Sequence, residues 1–300
     1  MRVAKAAAHD RRGRDAAAPS AIPLRGWRDI ALRTASAAIR HQAPTTAAGI
    51  GFYGVLAFIP ALSAAASLYV MLADAPAGAR QASALHGVIP DAALKLIVAE
   101  LARLSQKPAA DRFWIVAGSL VAVIGSVNAA MMALLLGLNV AYEEAERRSL
   151  WRRGLVAAVF TAGILVAAPI TFASLLLGRG LAADTSVPTM AAHVCRFAFL
   201  ALETTAGLAL LYRYGPSRRR PRWRWVTPGG LLAALVWLAS SSALSFYLAH
   251  FAHYERTYGV LGAVLAVMVW LWTAALVVLL GAELNAQIEA QTDQDTTDHR

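Results

Sequence analysis

The sequence holds a single cysteine, Cys195, and only 18 acidic residues among 300. One cysteine excludes an intramolecular disulfide framework; set in an apolar run, Cys195 reads as a small buried hydrophobe. Charged residues make up 15%, well under the roughly 25% of soluble domains, which argues against an ordinary soluble fold. No apolar h-region follows the basic residues Arg2 to Arg14, so no secretory signal is read there. The Arg/Ala bias leaves a transit peptide open, with Asp10 and Asp15 against it. No P-loop or Gly-rich dinucleotide fingerprint occurs. Metal-dependent cleavage needs clustered carboxylates and histidines, and Glu143, Glu144 and Glu146 have no histidine partners in their loop.

What the sequence does have is apolar length. It is 58% hydrophobic with a formal net charge of +10 and a mean hydropathy of +0.52. Residues 45–72, 113–140, 155–177, 189–211, 226–249 and 258–284 each approach or exceed the ~20 residues that cross a bilayer. The expectation is therefore an all-α membrane bundle of six transmembrane helices. Residues 1–23 read as a disordered tail, 24–289 as the membrane domain and 290–300 as a polar tail. Leu24, Trp27, Ala31 and Ala38 can share one face of a helix that Pro44 ends, an arrangement suited to the headgroup region. A second amphipathic helix starts at Pro90-Asp91, with Leu94, Ile97, Val98, Leu101 and Leu104 at helical spacing. Pro60 and Pro169 fall inside spans and Pro228 at the first turn of the fifth.

Arginine placement gives the sidedness. The segment before span one, the loop holding Arg147, Arg148, Arg152 and Arg153, and the loop from Arg213 to Arg224 fall on one side of a six-span chain. The positive-inside rule makes that side cytoplasmic, with both termini there. The same placement explains the excess positive charge without nucleic acid.

Few residues carry candidate chemistry. Glu203 sits near the centre of span four, where a charge costs about 2.5–3.5 kcal/mol on insertion scales. Arg196 lies seven residues earlier on the same face. Its bland reading is a snorkelling side chain, and that of Glu203 a paired or protonated structural acid. Asn128 and Asn139 suit hydrogen bonding between helices. Glu283 closes span six and is expected to pair with Arg147, Arg148 or Arg213, as an ion pair or a gate. Arg218, Arg219, Arg220, Trp223 and Trp225 interleave cations with aromatics beside a span. That pattern suits an anchor to anionic lipid headgroups better than an RNA grip. His250 and His253, with His86, His193 and Glu255 on the same side, fall short of a tight ligand set, so no metal and no cofactor is expected.

Several segments resemble the YihY/BrkB family of bacterial inner-membrane proteins, also called virulence factor BrkB and once mislabelled ribonuclease BN. The first is Ala47-Ala48-Gly49-Ile50-Gly51-Phe52-Tyr53 with Phe58-Ile59-Pro60. The second holds Leu138-Asn139, Ala141-Tyr142 and Glu146-Arg147-Arg148. The third runs from Leu211-Tyr212-Arg213-Tyr214-Gly215-Pro216 through Trp223, Pro228-Gly229-Gly230, Phe246-Tyr247, Tyr254, Thr257 to Gly262 and Trp270. It ends at Leu280-Gly281-Ala282-Glu283-Leu284-Asn285. Gly125-Ser126-Val127-Asn128 departs from the small hydroxyl run expected there. The resemblance implies an integral inner-membrane protein and no settled activity. The favoured reading is non-enzymatic, with no catalytic residue: movement or organisation of a lipid-like, amphiphilic molecule, with membrane lipids as partners. A scaffold recruiting partners through the basic loops is the alternative, and a membrane-bound ribonuclease comes last.

Overall fold

The computed structural model describes residues 16, 18–72, 91–184, 189–218, 223–250 and 260–292. Helix α1 (Leu24–Arg40) follows the extended Pro23. It is interrupted at His41 and Gln42, where Gln42 takes a left-handed φ of 52°. Pro44 then sits in the first turn of α2 (Ala43–Leu72). There its missing N–H costs nothing, because first-turn donors lack helical acceptors anyway. The break expected at Pro44 thus falls two residues earlier. The amphipathic α3 (Asp91–Ser105) follows, then α4 (Ala109–Ala141), α5 (Leu150–Asp184), α6 (Thr189–Tyr214), α7 (Trp223–His250) and α8 (Val260–Gln291). No strand occurs among the described residues.

Among the described residues, five helices are long and apolar enough to cross a membrane, over Ala43–Ala64, Phe113–Ala141, Leu150–Thr171, Thr227–Leu244 and Val264–Gln291. The fourth expected span, α6 (Thr189–Tyr214), is not among them. Its 26 residues still extend roughly 39 Å at 1.5 Å per residue, enough for a ~30 Å hydrocarbon core. Val121 is 74% and Leu202 71% exposed. Apolar surface on this scale is stable against lipid rather than water.

The long helices close into a ring in the order α2, α4, α5, α6, α7, α8 and back to α2, with α1 laid on α8 and α3 against α2 and α8. The core is concentrated at one end. Ala38, Ala47, Leu135, Leu138, Tyr142, Ala157, Leu211, Tyr212, Leu279 and Ala282 form one buried cluster there. Small residues permit the close approach: Gly229 of α7 and Gly281 of α8 face one another, and an added Cβ at Gly281 would lie 2.9 Å from the Gly229 carbonyl oxygen. The other half is looser. Residues 162–164 and 166–170 of α5 are exposed and Leu165 is half-buried, so neighbours cover little of that stretch. Cys195 on α6 is likewise exposed, not buried; its helix turns that position outward.

Three boundaries differ from expectation. The assumed tail is ordered at its far end: Pro19–Ala21 form a 3-10 turn, and Ala16 and Ile22 pack with Ile30, Leu284 and Ile288. α8 runs past residue 284 to Gln291 because Ile288 and Glu289 are buried. Pro228 lies inside α7, since the helix begins at Trp223. Beside it, the Gly229 N–H donates to Asn285 Oδ1 at 2.8 Å.

At the loose end α3 is pinned by Leu101 and Leu104 against Ala66, and by Ser63 donating to Glu100 at 2.6 Å. Arg103 also grips Glu100, with Nε 2.7 Å from Oε2. That bond holds the Glu100 carboxyl below its usual range against the opposing effect of burial, with Ser63 assisting. A carboxyl lowered on folding adds stability above its unfolded pKa and loses it as pH falls through the folded value. Protease cutting within α3 should therefore accelerate below about pH 4 and become flat with pH in Glu100→Gln. An unchanged acid profile in that variant would refute the role of this link.

Candidate functional site

The arginine-rich end carries a buried polar layer where α1, α2, α4, α6, α7 and α8 converge. Glu283, with a side chain 1% exposed, receives His41 Nδ1 at 2.7 Å, and His41 Nε2 lies 3.6 Å from Glu143. Thus the partner of Glu283 is His41 from the α1–α2 elbow. The expected pairing with Arg147, Arg148 or Arg213 is not formed. Arg148 is drawn instead to the carbonyls of Tyr214, Gly215 and Pro216, the Arg147 amide meets Ser217 Oγ, and the Arg213 guanidinium lies over the Tyr214 ring at 5.3 Å.

Two turns on, Glu289 pairs with Arg218, and both side chains are buried. The Arg218 guanidinium stands 4.5 Å over the Tyr142 ring. Burial pushes the Tyr142 phenol well above its usual range although Arg218 pulls it down, so a neutral ring faces the cation. The lipid-anchor role expected of Arg218 is therefore wrong: its charge is consumed inside the protein. Arg219 and Arg220 lie outside the described residues. So do the side chains of Trp223 and Trp225, and with them His86, His193, His250, His253 and Glu255 as a possible ligand set.

Asn139 links two segments of the layer. Its Nδ2 donates to Glu146 at 2.9 Å, and its Oδ1 accepts from the Ser217 amide at 2.8 Å. Tyr212 OH reaches the Val278 carbonyl at 2.7 Å, tying α6 to α8. Arg33 of α1 donates to Gln291. Together these contacts place the first helix, the two arginine-rich loops and the end of α8 at one end of the bundle, as six alternating spans require.

A second polar point lies in the loose half. Thr171 Oγ1 of α5 is 2.5 Å from Glu203 Oε1 and 2.9 Å from the Ala167 carbonyl. One hydroxyl proton can serve only one of these acceptors at a time. Glu203 Oε2 and Asn128 Oδ1 are buried without a hydrogen-bond partner. Arg196 is on α6, two turns from Glu203; its side chain is outside the described set. Asn128 lies on α4, and no described bond joins it to Glu203.

Neither His41 nor Glu289 stands out in the sequence. His41 carries no motif; its one local signal is its place between the amphipathic helix and the Pro44 that starts a span. Glu289 fell beyond the hydropathy boundary of the last span.

Comparison with known proteins agrees with this architecture. The family described as Virulence factor BrkB matches residues 34–300. A UPF0761 membrane protein of Verminephrobacter eiseniae is 26% identical over 81% of the chain and 58% of its own length. One from Rhodospirillum centenum is 28% identical over 83% of the chain and 57% of its own length. The Putative ribonuclease-like protein YfkH of Bacillus subtilis is 31% identical over 56% of the chain and 63% of its own length. The chain thus spans about three-fifths of these relatives. No solved structure matches it. A ring of membrane-length helices, ordered as the sequence motifs require and matched over nine-tenths of its length, makes this chain a member of the virulence factor BrkB family of integral membrane proteins.

Proposed function

We propose that this protein moves or organises an amphiphilic, lipid-like molecule across a bacterial inner membrane, with both termini in the cytoplasm. One observation carries the reading: the ring is sealed at its arginine-rich end by a buried polar layer, while residues 162–164 and 166–170 of α5 are exposed, beside the Thr171–Glu203 contact. A bundle sealed at its arginine-rich end, with an uncovered stretch of α5 farther along, offers lipid tails a lateral way in. Within it, the acid and hydroxyl offer the headgroup a polar foothold. Intramembrane acids are costly and therefore functional candidates by default. Exposed Arg25, Arg28 and Arg152 with Trp151, 81% exposed, supply the contact with anionic headgroups that Arg218 does not.

The test is reconstitution into vesicles carrying a fluorescent phospholipid, with transbilayer movement followed by a membrane-impermeant quencher. The protein should accelerate movement. Glu203→Gln should slow it at least tenfold while leaving thermal unfolding unchanged. Equal rates with and without protein would discard the proposal. The same preparation should not cleave RNA with added Mg2+ or Mn2+; cleavage would favour the activity suggested by the name of the Bacillus subtilis relative.

A further inference from the structure

Thr171 on α5 and Glu203 on α6 meet beside open space. Residues three and four apart share one face of a helix. On the face of Glu203, Phe199 is 43% exposed, and Ala206 and Gly207 are exposed too. On the face of Thr171, Ala167 and Ala168 are exposed. A Cβ added at Gly207 would meet nothing within 4 Å. Small residues thus leave room between the acid and the lipid. Glu203 is half-buried; its Oε1 holds Thr171 and its buried Oε2 has no hydrogen-bond partner. Away from the arginine-rich end, the other described buried side-chain atoms without a partner are Ser67 Oγ, Asn128 Oδ1 and Thr161 Oγ1. All four oxygens can accept a hydrogen bond, and no N–H is among them.

We propose that Glu203 recognises the primary ammonium of an aminophospholipid, a headgroup of the phosphatidylethanolamine type. Turning about the Glu203 side-chain torsions brings Oε2 from its shielded position to the opening, where the ammonium donates to it. The chemistry selects this headgroup over the alternatives. A primary ammonium carries three N–H donors and a positive charge, which match acceptors and an acid. A choline headgroup has the charge but no N–H to donate. A glycerol headgroup leaves the lipid anionic, and its phosphate would face the Glu203 carboxylate as a like charge in a medium of low dielectric. The apolar surface of Phe199 and the α5 alanines takes the acyl chains. This inference names the substrate class of the transport proposal and rests on it.

The experiment uses the full chain and two readouts. In detergent, dihexanoyl phosphatidylethanolamine should raise Tm saturably, by about 3 °C at ten times Kd, and dihexanoyl phosphatidylcholine should not. Glycerophosphoethanolamine, which has no acyl chains, should not either; an equal rise with it would make the ligand a free amine and overturn the lipid assignment. In vesicles, an acyl-labelled ethanolamine lipid should cross about tenfold faster than its choline counterpart, the worth of one charge-assisted hydrogen bond. Glu203→Gln should erase both preferences. Equal acceleration of the two headgroups overturns this inference and leaves the transport proposal standing. Acceleration of neither discards the transport proposal, and the Tm comparison then decides the site. Should Glu203→Gln not fold, Gly207→Leu, which only fills the open space, decides: a lost headgroup preference supports the site, and a retained one overturns it.

Discussion

Replacing Glu289 by alanine is expected to be the most damaging charge substitution among the described residues. It leaves the Arg218 guanidinium, whose side chain is fully buried, without its counter-ion. Breaking a buried pair from one side typically costs about 3–5 kcal/mol, whereas apolar replacement of both partners is often neutral. Arg218→Ala should cost a similar amount and forfeit the contact with Tyr142 as well, worth up to about 2 kcal/mol when desolvated. Arg218→Met combined with Glu289→Leu should restore most of the loss. Thermal unfolding in detergent, read from tryptophan fluorescence, checks all three. If Glu289→Ala melted with the wild type, the pair would contribute nothing. If Arg218 were a lipid anchor instead, its alanine variant would unfold normally and lose only affinity for anionic vesicles.

The second large effect should come from a single methyl group. A Cβ added at Gly281 would press on Tyr212 OH, on Ala233 Cβ at 2.9 Å and on the Gly229 carbonyl. One at Gly229 would meet the Gly281 carbonyl and Asn285, with the carboxamide carbon at 2.5 Å. Each places a backbone carbonyl against the new atom, and backbone cannot rotate away as a flexible side chain can. Overpacking usually costs 1–3 kcal/mol, and Gly281→Ala or Gly229→Ala should reach about 3 kcal/mol at least. They should also separate α7 from α8, breaking the Gly229–Asn285 and Tyr212–Val278 hydrogen bonds. Gly163→Ala gives the contrast: nothing lies within 4 Å of its added Cβ, so the substitution should stabilise α5 by roughly 0.5–1 kcal/mol through helix propensity. Equal melting of Gly163→Ala and Gly281→Ala would contradict the packing described.

Both predictions concern residues whose importance depends on partners far along the chain. Glycine at 229 and at 281 is visible in the sequence, but 52 residues separate them, and nothing local says that their backbones touch. By its neighbours, Arg219 to Trp225, Arg218 is one element of a uniform basic anchor. The fold singles it out, because α8 continues for two turns beyond its apolar run and brings Glu289 beneath it. The apolar run beginning at Val226 puts Pro228 at a first turn, whereas the helix starts at Trp223 and relies on Asn285 to receive the Gly229 N–H.

By itself the sequence determined the solvent, the helical class, the order of the spans and the clustering of arginine-rich segments at one end. These follow from run length, periodicity and charge counts, each of which is a sum over neighbouring residues. The pairings His41–Glu283, Arg218–Glu289 and Thr171–Glu203 were decided only by the tertiary structure. Each joins segments whose contact depends on how the ring closes, and the energy of a buried charge depends on the partner three-dimensional packing delivers to it.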